Sequence, residues 1–346
     1  MAEPEILCER RGSAGLVTLD RPQALNALTL AMVREMRQAL DAWETDPAVT
    51  RVVVAGAGEK AFCAGGDIRR LYDLGKAGRQ EEARVFWREE YELNIRIKRY
   101  AKPYVALIDG IVMGGGVGLS LHGSHRVVGE RALFAMPEVG IGFFPDVGAT
   151  YALPRLADRI GTYLALTGER IRTADLIGLG LATRAVRSSS MTALREDLTT
   201  DSPVDDVLAA AAVDPGPAPL DAHRPAIAGC FSADSVSGCL ARLDAQDSEF
   251  ARKTAATIRT KSPTSLVIAF EQMRRGAALS FEEAMKTEFR IVSRICEGHD
   301  FYEGVRATII DKDGAPRWRP ATLEGVTPAM IEAHFAPLGS AELEAP

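Results

Sequence analysis

Apolar and polar positions alternate over residues 15–20, GLVTLD, which predicts a half-buried strand, and RPQALNALT then turns the chain into a helix. From Leu28 to Trp43 the apolar residues Leu28, Met32, Met36, Leu40 and Trp43 recur at helical spacing, the stripe of an amphipathic helix packed on a core. RVVVAGAG reads as a buried strand that runs into a loop, EKAFCAGGDIRRL. Residues 81–100 are rich in charge, with Phe86, Tyr91, Ile95 and Ile97 spread through them. They predict a helix with a mainly solvated face, on which Glu90 changes role only if its side turns inward. KPYVALIDGIVMGGGVGLSLHGSHRVVGE then reads as strand, glycine turn, short helix and strand. A repeated strand-then-helix order indicates an α/β domain rather than a helical bundle or a sandwich.

The pattern changes at residues 213–225, VDPGPAPLDAHRP, where proline is densest and a loop or domain joint is expected. Residues 234–298 read as almost wholly helical, with a break at TKSPTS. A charged stretch, DKDGAPRWRPATLEGVTP, precedes a short helix near 328–335. The expected organisation is a catalytic α/β domain over 1–212, a proline-rich linker over 213–225 and a mainly helical region over 226–346. No solenoid-type repeat is visible.

Composition narrows the function classes. The chain has 346 residues, 47% hydrophobic and 25% charged, enough for one large core and a smaller unit. Its net charge of −6 gives no general field for nucleic acid or an anionic membrane, so neither is expected as a partner. The opening MAEPEILCERRGSAG has acids where a signal peptide has an apolar core, and no apolar run is long enough for a membrane span, so a cytoplasmic location is expected. Cys8, Cys63, Cys230, Cys239 and Cys296 are scattered and contain no C-x-x-C pair, which argues against a disulfide framework or a zinc ribbon.

Two glycine turns, CAGGD at 63–67 and MGGGVGL at 113–119, each follow an apolar strand-like segment. Glycine lets a backbone amide face a bound group unobstructed, and two such amides aimed at one point make an oxyanion hole. Packing turns between strand and helix are the alternative reading. Neither turn completes a dinucleotide-binding or P-loop fingerprint. Glu138 and Asp146 stand in AMPEVGIGFFPDVGATYALPR, a stretch otherwise dominated by glycine, proline and apolar side chains. A desolvated carboxylate there is a candidate general base, although Asp146 taken alone also reads as a helix N-cap. His122 and His125 are three apart without a third ligand cluster, and no G-x-S-x-G elbow occurs, so neither a metal site nor a serine triad is expected.

DRPQALNAL, KAFCAGGDIR, GIVMGGGVGLSLHG, FAMPEVGIGFFPDVGATYALPRL and LTGERIRTADLIGLGLAT together resemble the crotonase, or enoyl-CoA hydratase/isomerase, superfamily over roughly the first 190 residues. FPDVG, KSPTSL and GHDFYEGVRATIIDKDGAPRWRP extend the resemblance over nearly the whole chain, toward the branch that hydrolyses short β-hydroxyacyl-CoA thioesters. The resemblance implies a crotonase-like α/β fold of repeated ββα units with stacked sheets, followed by the helical region. It implies an acyl-CoA substrate, 3-hydroxyisobutyryl-CoA foremost, cleaved to 3-hydroxyisobutyrate and free CoA in valine catabolism. No cofactor is implied, coenzyme A being part of the substrate.

By the same resemblance, Gly66 and Gly115 look like the oxyanion-hole amides, Glu138 the catalytic glutamate and Asp146 the hydrolase's second acid. Glu90 matches the residue that meets the hydroxyacyl end. Ala24, Ala64, Gly65 and Gly114 lie in the segments expected to bind substrate, where RPQALNAL and KAFCAGGDI would contact adenine and diphosphate. Gly118 departs from the hydratases, which carry a second glutamate there. An enoyl-CoA hydratase or isomerase, or a CoA-thioester-binding protein without turnover, are the alternatives. A homo-oligomer stays open, because superfamily members often trimerise through C-terminal helices that this longer region could cover instead.

Overall fold

The computed structural model describes residues 4–344; the first three residues of the acidic opening lie outside that range. Strands β1 (Ile6–Arg11) and β2 (Ala14–Leu19) form an antiparallel pair, β1 being an element the alternation pattern did not announce. Next come α1 (Leu30–Thr45), β3 (Arg51–Gly56), β4 (Ala61–Cys63), α2 (Ile68–Lys76) and α3 (Gln80–Lys98). After them follow β5 (Tyr104–Ile108), β6 (Ile111–Met113), α4 (Gly115–Ser120), β7 (His125–Val128) and β8 (Leu133–Ala135). Helices α5 (Ala149–Ala152) and α6 (Ile160–Thr167), β9 (Ile171–Arg172), α7 (Thr173–Gly178) and β10 (Arg184–Ala185) complete the sheets.

Six strands run in the order β1-β2-β3-β5-β7-β10 and four in the order β4-β6-β8-β9. Three times the chain lays one strand in the large sheet and the next in the small one: β3 then β4, β5 then β6, β7 then β8. These are the repeated units of the expected α/β fold. The central strands of the large sheet are buried on both faces, as strands of a mostly parallel sheet are. Val52 and Val54 of β3, with Tyr104, Ala106 and Ile108 of β5, face the main core. The alternate residues Val53, Val105 and Leu107 face a second cluster, closed by Leu194 of α8 (Met191–Asp197) and Leu208 of α9 (Val204–Ala211).

The stretch 213–225 is irregular apart from a 3₁₀ turn at Pro219–His223 and its last two residues, which open the following helix. Beyond it stand α10 (Arg224–Cys230), α11 (Val236–Asp244), α12 (Glu249–Arg259), α13 (Pro263–Gly276), α14 (Phe281–Ile295), α15 (Asp300–Val305) and, at the end, α16 (Pro328–Phe335). The break at TKSPTS is a designed helix start: Ser262 caps α13 by accepting from Ser265 N–H, and Pro263 takes the first position, where no donor is needed. The main core runs without interruption from Ile6 to Leu343 and includes side chains of α13, α14 and α15.

Two expectations are corrected. EKAFCAGGDIRRL is not a plain loop: it contains β4, whose three residues are too short to show any period, and the first turn of α2. Nor is α3 chiefly a solvated face, since Ala83, Phe86, Trp87, Glu90, Tyr91, Leu93, Asn94, Ile95 and Ile97 are buried. The helix lies between α1 and α14, and two polar residues sit in that inner stripe.

Candidate active site

Strands β4, β6 and β8 are parallel neighbours in the small sheet, and the chain leaves the C-terminal end of each through a different site segment. After β4 come Ala64, Gly65 and Gly66; after β6 come Gly114 and Gly115; after β8 come Pro137 and Glu138. Carboxyl ends of parallel strands lie side by side, so three stretches far apart in sequence meet at one edge. A cavity of about 490 Å3 opens there, lined by both glycine turns, by Glu90, Glu138 and Asp146, and by an aromatic wall of Phe86, Trp87 and Phe143. Trp87 and Phe143 stack with ring centroids 5.7 Å apart.

The turns are in close contact. A β-carbon placed on Gly115 would lie 2.4 Å from Glu90 Oε1 and 3.4 Å from Gly66 N, and one on Gly114 would lie 3.3 Å from Glu138 Oε1. No side chain larger than hydrogen fits at Gly115 without displacing the site. Backbone bonds in the turns run through neighbouring groups: Leu28 N–H donates to Gly65 O (2.8 Å), Asp67 N–H to Leu28 O (2.8 Å) and Val117 N–H to Gly114 O (2.7 Å). Among the described residues the amides of Gly66 and Gly115 have no backbone acceptor.

Glu138 opens a 3₁₀ turn, Glu138–Ile141, closed by Gly142 in the left-handed region. Its carboxylate is buried, and Oε2 has no hydrogen-bond partner. Burial, then the charge of Asp146, raises its pKa well above the ordinary carboxylate value. Glu90 is likewise buried with Oε1 unpartnered, and its pKa is raised well above the ordinary value by burial and by Asp146 and Glu288. Buried polar atoms are nearly always paired, so two unpaired carboxylate oxygens in one cavity mark a place for a polar ligand.

Asp146 does not cap a helix. The residue before α5 is Gly148, without a side-chain cap, and Asp146 Oδ2 instead accepts the Tyr91 hydroxyl at 2.8 Å. Burial pushes the Asp146 pKa up to about 7, and the Tyr91 bond opposes that rise by favouring the charged form. The next residue, Val147, has φ 52, a conformation that costs a β-branched residue about 1–3 kcal/mol.

Gly118 faces Asn94 and Val147: a β-carbon there would be 2.7 Å from Asn94 Nδ2 and 2.8 Å from Val147 Cβ. The missing second glutamate is therefore a matter of space as well as of identity. Ala24 lies apart, in the turn Pro22–Ala24 and outside the cavity lining, although the next residue's carbonyl, Leu25 O, accepts Ala64 N–H at 3.0 Å. The two histidines separate: His122 Nε2 meets Val147 O at 2.6 Å, and His125 lies beside Ser124 and Asp205.

Several cavity residues escaped the sequence reading. Lys261 and Arg170 line it, as do Thr308 and Ile309 from a single π-helical turn, Arg306–Ile310. Burial lowers the pKa of Lys261. In the sequence Tyr91 is indistinguishable from an apolar helix position. Glu288 behind Asp146 carried a usable signal: it stands on the stripe Phe281, Ala284, Met285, Glu288, Ile291, Val292, an acid where the helical period demands burial.

The sequence model described as enoyl-CoA hydratase/isomerase matches residues 14–335. The chain is 48% identical to the 3-hydroxyisobutyryl-CoA hydrolase of Danio rerio, covering 99% of this chain and 92% of that one. It is 45% identical to the human protein of the same name, covering 99% and 91%. Among solved structures, one named as a carnitinyl-CoA dehydratase from Mycobacterium thermoresistibile superposes with a TM-score of 0.95 at 44% identity, covering 99% of each chain. One named as an enoyl-CoA hydratase from Rhodobacter sphaeroides superposes with a TM-score of 0.91 at 40% identity, covering 99% of this chain and 100% of that one.

The relatives correct one expectation. The Danio rerio, Xenopus tropicalis and human enzymes are named as mitochondrial, which overturns the cytoplasmic location. That location rested on charge and on the lack of a long apolar run, which bear on membrane spans, whereas many destinations are addresses read by receptors. No helix among the described residues is long and apolar enough to cross a membrane. Shared sequence over nearly the full length, with the same stacked sheets, leads to one statement of kinship: this chain belongs to the enoyl-CoA hydratase/isomerase family.

Proposed function

We propose that the protein hydrolyses short β-hydroxyacyl-CoA thioesters, 3-hydroxyisobutyryl-CoA foremost, to the free hydroxy acid and CoA, a step that fits valine catabolism. The observation that carries this reading is the meeting of two glycine turns with the unpaired Glu138 carboxylate at one strand-end cavity. In this reading the thioester carbonyl oxygen sits between the Gly66 and Gly115 amides. Each such donor contributes about 3–4 kcal/mol where charge develops on oxygen. Glu138, its pKa raised by burial, takes a proton from water as the water attacks the carbonyl carbon, or attacks that carbon itself to give an anhydride that water then cleaves. Collapse of the tetrahedral intermediate breaks the C–S bond; in the water route the proton that Glu138 took passes to the departing sulfur, and in the anhydride route the sulfur leaves as thiolate and takes a proton from solvent. Asp146, oriented by Tyr91, positions the water or the substrate hydroxyl, and Glu90 meets the hydroxyacyl end.

Hydration of an enoyl thioester is the competing chemistry, as the names of the two solved structures illustrate. The crowding of Gly118 by Asn94 and Val147 speaks against a second glutamate acting from that position. Thiol release from 3-hydroxyisobutyryl-CoA, 3-hydroxypropionyl-CoA and acetyl-CoA, measured beside loss of enoyl absorbance from crotonyl-CoA, tests the reading. Release that is fastest with the two hydroxyacyl thioesters is expected. Hydration of crotonyl-CoA without thiol release would replace hydrolysis with hydratase activity, and neither reaction would leave a binding protein.

A further inference from the structure

We propose that Glu288 is a positioning residue for hydrolysis, acting with Gln272 and His122 as a clamp that holds the turn 145–150 in the one shape that points Asp146 at the cavity. The turn cannot set that shape alone, because Val147 and Gly148 both have positive φ (52° and 91°) and a valine does not choose that region unaided. Its polar groups are instead tied down by side chains from two helices and from the residue just past a third. Glu288 of α14 accepts the N–H of Gly148 (2.8 Å) and of Thr150 (2.9 Å). Gln272 of α13 donates to Pro145 O (2.9 Å) and to Thr150 Oγ1 (2.7 Å). His122, just past α4, approaches Val147 O at 2.6 Å. A carbonyl only accepts, so the ring nitrogen facing it carries the proton, and burial keeps the other nitrogen deprotonated by lowering the His122 pKa to about 4.

Glu288 is fully buried, and burial, Asp146, Gly148 and Thr150 are the influences on its charge, with no cation among them. A carboxyl group kept dry, with the Gly148 and Thr150 amides and the Thr150 side chain as its partners, is an expensive way to fill space. Its two bonds bracket Ala149, whose N–H in turn donates to Asp146 O at 2.9 Å. If the clamp were lost and Val147 relaxed, the peptide following Asp146 would rotate and the Tyr91 contact would go with it. Glu288 is outside the cavity lining, so it acts on substrate only through this turn.

The inference rests on the Asp146 role proposed above, and a double-mutant cycle separates the two. Glu288→Gln keeps the volume but puts an NH2 group, which cannot accept, in place of one of the two carboxyl oxygens that receive the Gly148 and Thr150 N–H groups. It is expected to lower kcat for 3-hydroxyisobutyryl-CoA by about 10- to 100-fold with KM changed less than about 3-fold, and to cost less than about 2-fold when added to Asp146→Asn. An equal loss in both backgrounds, or wild-type kcat in Glu288→Gln, overturns the clamp while leaving Asp146 in place. Wild-type kcat in Asp146→Asn overturns the Asp146 role and the clamp together. Should Glu288→Gln not fold, Gln272→Leu enters the same cycle with the same outcomes. It removes two turn bonds together with Gln272 Oε1, an acceptor that is already unpaired.

Discussion

Three acids share the cavity, and their environments distinguish them. Glu138 and Glu90 each keep one unpaired oxygen, whereas Asp146 is bonded to Tyr91. Because the Asp146 charge helps raise the Glu138 pKa, Asp146→Asn should move the acid limb of the kcat/KM profile to lower pH even as the plateau falls by about 100-fold. A pH–rate series on both proteins checks the sign; a limb moved upward would contradict the coupling. Glu138 and Asp146 were legible in the sequence because a charge inside an apolar stretch demands a reason. Tyr91 was not, since a tyrosine on a helix stripe looks like core until its hydroxyl is seen to meet Asp146.

Three short parallel strands assemble the site by ending at a common edge. The glycine runs were plain in the sequence, but the strands feeding them were not: β4, β6 and β8 have three residues each, below the length at which alternation shows. Their convergence is a property of sheet order, which no single segment encodes. At this scale the close approach of α4 to Asn94 of α3 and to Val147 leaves little room for a glutamate at position 118. Gly118→Glu should therefore lower the melting temperature, by on the order of 5 °C or more, and give no crotonyl-CoA hydration, because the new side chain meets Asn94 and Val147. Thermal melts with an absorbance assay check this, and a stable variant with hydratase activity would contradict it.

Across the whole molecule the C-terminal helices complete the site instead of decorating it. Gly276 of α13 comes so close to the Asp146 turn that a β-carbon on it would be 2.0 Å from Thr150 O, and α14 contributes Glu288. Their helical character was legible in the sequence, but not which surface they would bury, since that depends on contacts between distant segments. Burying four carboxylates has a consequence for stability. Glu90, Glu138, Asp146 (to about 7) and Glu288 (to about 8) all have pKa values raised by folding, so the native state holds protons that the unfolded chain releases. Their contribution is complete below the unfolded values near 4 and is lost as pH rises through 7 and 8. The melting temperature should fall by on the order of 5 °C from pH 6 to pH 9, and less in Glu288→Gln. Thiol release by Glu138→Gln, measured beside its binding of 3-hydroxyisobutyryl-CoA, tests most directly whether the carboxylate that shares the cavity with the two glycine turns does the chemistry. Binding within about 3-fold of wild type with turnover reduced by about 100-fold or more is expected; turnover at the wild-type rate would remove Glu138 from the reaction.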